Sequence, residues 1–223
     1  TGLSTDTARL QADVSEDLGG GLKAKASVSV ANLARSGTKA GGENAYIQLD
    51  GGFGSVKVGS VETGAAYDLA MGNLQQGYGM DGKVLAANVT VDTAAYTLPK
   101  FGDVTVAVSI ADYAADATNA GSAGWTGASV TGQPSSKVAA SYASGPLSAS
   151  AAYVSYARKD LSADASKAKT VLGAQYDLGA AKLGFATYRA TKETSLASSA
   201  ASYGVYVPMG AVTLGANYAV RKT

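Results

Sequence analysis

The side chains that could do chemistry here are amines, guanidinium groups, carboxylates and hydroxyls, because the 223 residues include neither His nor Cys. Lacking Cys, the chain has no thiolate nucleophile, no thiolate metal site and no disulfide. Lacking His, it has no Ser-His-Asp base and no imidazole metal ligand. Charge is what is left to work with. Arg9, Lys23, Lys25, Lys57, Lys137 and Arg189 read as basic groups on the polar faces of strands, and the longest link, about 60–86, carries Glu62, Asp68 and Asp81. Charges dispersed in this way hold no reacting atom in place, but a surface they line orients water, ions and dipolar solutes. No catalytic residue, cofactor or metal is expected, and link acids such as Asp112, Asp116 and Glu193 lack calcium-loop spacing. Gly52-Phe53-Gly54 reads as a hairpin turn, since no helical pattern follows it to make a nucleotide loop.

Those charges need elements to carry them, and the alternation of polar and apolar residues predicts strands. Ala8, Leu10, Ala12 and Val14 alternate with Arg9, Gln11, Asp13 and Ser15; Leu22, Ala24, Ala26, Val28 and Val30 alternate with Lys23, Lys25, Ser27 and Ser29. Period 2 recurs around Ile47, Val106, Leu172 and Leu214, where helical spacing fits worse. Short turn-rich links at 19–21, 50–52, 99–103, 144–146, 178–181 and 208–210 alternate with longer polar links near 33–43, 60–86, 113–135, 159–168 and 192–200. Glycine supplies the positive φ of tight hairpins, and proline ends ladder pairing. Six short turns imply about twelve strands of roughly 9–12 residues, the length of a tilted bilayer crossing.

The expected fold is therefore all-β, an antiparallel barrel that crosses a membrane as a single domain over 1–223. Short links on one side and long links on the other are the asymmetry of outer-membrane barrels. Charged residues are only 16% of the chain, no apolar run reaches the roughly 18 residues of a membrane helix, and 13 tyrosines suit an interfacial girdle. Tyr142, Tyr176 and Tyr218 fall on apolar parities. A soluble β-sandwich is the alternative, yet three Phe and one Trp are little bulk for its core. A formal charge of +1 gives no reason to expect nucleic acid as a partner.

The segment Ala45-Tyr46-Ile47-Gln48-Leu49-Asp50-Gly51-Gly52-Phe53-Gly54-Ser55-Val56-Lys57-Val58-Gly59 resembles a strand–turn–strand of the general diffusion porins of Gram-negative bacteria, the β-proteobacterial type above all. Ser15-Glu16-Asp17-Leu18-Gly19-Gly20-Gly21-Leu22-Lys23-Ala24 is similar to that family's second strand and first periplasmic turn, and Tyr67-Asp68 sits where its inward-folded loop begins. The resemblance is specific over 7–68 and one of rhythm beyond. It implies a non-enzymatic, water-filled channel in the outer membrane of a Gram-negative bacterium, passing small hydrophilic solutes and ions. It also implies a homotrimer amid outer-membrane lipid and lipopolysaccharide. By this resemblance 60–86 is the constriction loop, its acids facing the six basic residues across the pore. Sixteen strands follow if one precedes Thr1 and three follow Thr223; a twelve-stranded barrel is the other possibility. Two departures, Ser60 where such porins carry Arg and Asp13 where they carry a basic residue, predict weak ion selectivity. A plugged or structural barrel, such as an adhesin or an envelope-complex component, is the competing function and would show no open-channel conductance.

Overall fold

Backbone groups in a strand need partners outside their own segment, so alternating segments joined by tight turns pair with their sequence neighbours. The computed structural model describes residues 8–31, 41–63, 89–112, 135–157, 166–192 and 198–222. They form twelve strands: β1 (Leu10–Gly19), β2 (Leu22–Ala31), β3 (Gly41–Gly51), β4 (Gly54–Thr63), β5 (Val89–Thr97), β6 (Val104–Asp112), β7 (Ser135–Ser144), β8 (Leu147–Tyr156), β9 (Ser166–Asp177), β10 (Lys182–Lys192), β11 (Ser198–Met209) and β12 (Val212–Lys222). All belong to one antiparallel sheet in the order β1 to β12, so each strand pairs with its neighbours in sequence. The expected strand count and the alternation of short and long links are both observed. Among the described residues β1 and β12 are the edges of this sheet.

Turn chemistry explains the short connections. Each contains a glycine at positive φ: Gly19, Gly54, Gly102, Gly145, Gly179 and Gly210. Two turns share a further device. The Gly19 amide donates to Asp17 Oδ1 and the Gly179 amide to Asp177 Oδ1, both at 2.8 Å. A carboxylate that accepts an amide two residues on fixes the turn locally.

Burial is inverted relative to a water-soluble domain. Leu10, Ile47, Ile110 and Tyr218 are each 64–68% exposed, whereas Ser29 and Ser202 are 1% exposed. The exposed apolar side chains share one face, traced across five strands by the pairings Ala26–Ile47, Ile47–Val58, Val58–Ala94 and Ala94–Ile110. A contiguous apolar surface of that extent calls for an apolar surrounding. Tyr96, Phe101, Tyr142 and Tyr176 are exposed at the short-turn end of this belt, where the Tyr96 hydroxyl donates to the Phe53 carbonyl at 2.6 Å. In hydrocarbon the ladder itself holds the sheet, because each unsatisfied backbone group there costs several kcal/mol. No helix among the described residues is long and apolar enough to span a membrane, which leaves crossing by strands untouched.

Among the described residues, the opposite face has one small dry cluster. Ala152, Val171, Ala186, Tyr188, Ala190 and Ala200 pack together across β8–β11.

Candidate functional site: the polar face of the sheet

Register, more than sequence distance, brings the charges together. Lys25 pairs with Gln48, Gln48 with Lys57, Lys57 with Ala95, Ala95 with Ser109, and Ser109 with Lys137. Three of the expected basic residues thus stand on a single line across β2–β7. The line continues through Val154 to Lys169 on β9. With strands about 4.8 Å apart, successive lysines are roughly 10–15 Å from one another. That separation lets each act on a passing solute without cancelling its neighbour's hydration.

Around this line the first four strands hold an ion-pair network. Lys25 Nζ lies 2.6 Å from Asp50 Oδ2, and Gln48 Nε2 donates to Asp50 Oδ1 at 2.7 Å. Lys23 faces Asp17 on one side and Asp50 on the other. Lys57 Nζ sits 4.4 Å from the Tyr46 ring centroid, a cation–π contact. Gly59 makes that possible: it lies opposite Tyr46 at φ 145°, and a Cβ there would collide with the Ala45 carbonyl oxygen and Tyr46 Cα. Arg9 grips Glu43 with two nitrogens, Nε at 2.5 Å and Nη2 at 2.6 Å, a forked geometry that fixes both groups. Ser29 Oγ donates to the same carboxylate at 3.3 Å and accepts the Asn44 amide at 3.0 Å.

Of the basic residues expected on this face, Arg9, Lys23, Lys25, Lys57 and Lys137 are there. Arg189 is not. It pairs with Thr170 and Ser199 and shares its strand parity with Leu183 and Phe185, so it belongs to the apolar face, while Tyr188 and Ala190 beside it are buried on the other. The correction has a physical reason: on β10 both parities are rich in apolar residues, and charge alone was a poor guide to direction. Glu62 is on strand β4, paired with Thr90, because β4 runs through Thr63. Asp68 and Asp81, and with them nearly all of 60–86, lie outside the described residues.

Four residues of this face were not named as site residues from the sequence. Asp50 and Gln48 could have been, since both share the parity of Tyr46 and Asn44. Glu43 could not, because a register shift between Val28 and Val30 turns it toward Ser29 and Arg9. Lys169 is 7% exposed with Nζ 5.1 Å from the Tyr188 ring, and its burial is a tertiary property.

Comparisons with known proteins agree with this geometry. Among solved structures, the anion-selective porin from Comamonas acidovorans is 24% identical with a TM-score of 0.65, covering 98% of this chain and 70% of that one. OmpF of Salmonella typhi, solved in complex with daunomycin, is 11% identical with a TM-score of 0.74, covering 96% and 71%. At those identities the likeness is one of fold. No curated protein sequence matches the chain. The family model described as Gram-negative porin matches residues 1–223. An apolar belt outside, a charge-lined face opposite and a match over the whole length lead to one identification: the chain belongs to the Gram-negative porins and forms a channel in the outer membrane.

Proposed function

We propose that this channel passes small hydrophilic solutes and ions by passive diffusion, with a modest preference for anions. The observation that carries the reading is the line Lys25–Lys57–Lys137 on the face opposite the apolar belt. Such a line gives a permeating anion successive weak attractions, favourable enough to enter and weak enough to leave. Glu43 and Asp50 are tied to Arg9 and Lys25, so they offset part of the positive field and leave Lys57 and Lys137 to set its sign.

Family membership supports three finer parts of the reading: a homotrimer, contact with lipopolysaccharide, and an inward-folded constriction over about 60–86 carrying Asp68 and Asp81. No enzymatic step enters, since diffusion requires a lined lumen and nothing that reacts. Both edge strands carry a row of backbone donors and acceptors that hydrocarbon cannot satisfy. Each edge therefore needs a partner in the membrane, whether from further strands of a sixteen-stranded wall or from the other edge.

The test is conductance in planar bilayers, with reversal potential under a salt gradient. Ohmic steps in groups of three and a reversal potential of anionic sign are expected. A unit charge about 10 Å from an ion in water contributes about 0.4 kcal/mol, so two such charges shift anion and cation by about 0.8 kcal/mol in opposite senses, and at low salt K57Q/K137Q lowers the anion-to-cation permeability ratio by roughly fifteenfold. Repeated insertion without conductance would refute the open channel, and an unchanged ratio in the double variant would refute the role of the lysine line.

A further inference from the structure

On the polar face of β11, Tyr206 pairs with Lys182 of β10 on one side and with Gly215 of β12 on the other. A Cβ built on Gly215 would stand 2.6, 2.9 and 3.1 Å from Cε1, Cδ1 and Cζ of the Tyr206 ring. Distances so nearly equal to three successive ring carbons place the glycine beneath the face of the ring, not beyond its edge. The ring therefore lies along the wall, where a side chain at 215 would lift it. Asn217 fixes its far end, with Nδ2 donating to the Tyr206 hydroxyl at 2.7 Å. Tyr206 is half-buried: one ring face is spent on the wall, and the surface it keeps exposed is turned toward the lumen.

Beside this platform stands a matched donor and acceptor. Lys182 Nζ lies 3.2 Å from Asp177 Oδ2, and the two side chains are 45% and 39% exposed. Asp177 Oδ1 takes the Gly179 amide at 2.8 Å, so its own turn holds the carboxylate before any ligand arrives. Two strand spacings separate Asp177 from Tyr206, about 10 Å between Cα atoms. The group stands at the short-turn end of β9–β12, which faces the periplasm in outer-membrane barrels. Its shape and charge both select. A partner stacked on the ring must be apolar on its face and polar at its rim. An ammonium group beside a carboxylate draws neither sign of ion strongly, whereas neighbouring hydroxyls satisfy both, accepting from the amine and donating to the carboxylate. A pyranose has this outline, with C–H groups across one face and hydroxyls around its edge. A nucleobase shares the flat face but has no row of adjacent hydroxyls.

We propose that Tyr206, Asp177 and Lys182 form a weak site for a neutral disaccharide or short oligosaccharide at the short-turn mouth of the channel. The Tyr206 ring stacks on one sugar residue, and the ion pair takes hydroxyls of the next. The proposal rests on the diffusion-channel reading, because solute must reach this face, but not on the lysine line or on the sign of ion selectivity. One stacked ring and a few water-screened hydrogen bonds give millimolar retention, weak enough for the solute to leave.

The test is saturation-transfer NMR of maltose with the whole chain, purified in a detergent that has no sugar head group, and with polyethylene glycol of similar mass as the control. In the wild type, transfer is expected mainly to the C–H protons of one sugar face and hardly at all to the glycol. Y206A weakens binding about fivefold. Y206F keeps the ring and with it the face pattern, and K182A weakens binding less while leaving that pattern. Even transfer to all the sugar protons in the wild type, which needs no variant to fold, would overturn the site. So would Y206A binding maltose as the wild type does, or cytosine displacing maltose at equal concentration, which would make the platform one for bases. Wild-type conductance without sugar is read separately, so a failure here is distinguishable from a failure of the channel.

Discussion

Strands β1–β4 and β8–β11 present the same apolar belt on one side and quite different surfaces on the other. On β1–β4 the polar face carries Lys23, Lys25, Gln48, Asp50 and Lys57, mostly half-exposed, with Lys25 and Asp50 joined as an ion pair. On β8–β11 the corresponding face holds Ala152, Val171, Ala186 and Ala200, all buried. A lysine sits over a tyrosine ring in both regions, Lys57 over Tyr46 and Lys169 over Tyr188. The first pair is accessible and the second is covered. The contrast teaches that the lipid-facing parity is under one uniform requirement, whereas the other parity is free to be water-lined in one sector and close-packed in another.

Glycines toward the two ends of the sheet also differ in use, which gives the largest expected effect. Gly59 on β4 meets backbone atoms of Ala45 and Tyr46, so they cannot swing aside. Gly59→Val adds a strained backbone to a collision and is expected to cost about 3–5 kcal/mol. Gly215 on β12 meets only the ring of Tyr206, 2.6 Å from a built Cβ, and that ring can move once its hydroxyl gives up the Asn217 amide at 2.7 Å. Gly215→Ala is expected to cost about 1 kcal/mol. Urea midpoints in lipid vesicles rank the two, and equal midpoints would show that the tight approach at Gly59 relaxes.

A smaller effect distinguishes close-packed from lipid-facing positions on neighbouring strands. Ala186 is fully buried, so Ala186→Leu overpacks the dry cluster by about 1–3 kcal/mol. Ala151 is exposed on the apolar belt opposite Leu172, and Ala151→Leu is expected to fall within about 0.5 kcal/mol of neutral. If both variants unfold alike, the β8–β11 face is no more tightly packed than the belt.

The smallest effect belongs to the charge network. The Lys25 and Asp50 side chains are 41% and 24% exposed, so water screens their attraction. A double-mutant cycle on K25A and D50A is expected to give a coupling of about 0.2–1 kcal/mol. A coupling of several kcal/mol would mean that this sector is shielded like β8–β11 and that the contrast between the two is overdrawn.

Much of this molecule was legible one strand at a time. Twelve strands, six glycine-bearing turns, the long-link side and the apolar parity of Ile47, Leu172 or Tyr218 all follow from period-2 alternation and local turn chemistry, which need no knowledge of partners. Lys23, Lys25 and Lys57 fall on the polar parity read for them because their strands alternate cleanly. What only tertiary structure decided was cross-strand. The alignment of Lys25, Lys57 and Lys137 depends on register between distant segments, and the Arg9–Glu43 pair depends on a register shift between β2 and β3. Arg189 was misplaced where both parities are apolar, so alternation carried no direction. A strand's own residues state which of its faces is greasy; which charges meet across the sheet is fixed by the hydrogen-bond ladder, and a slip of one residue would send every side chain to the other face.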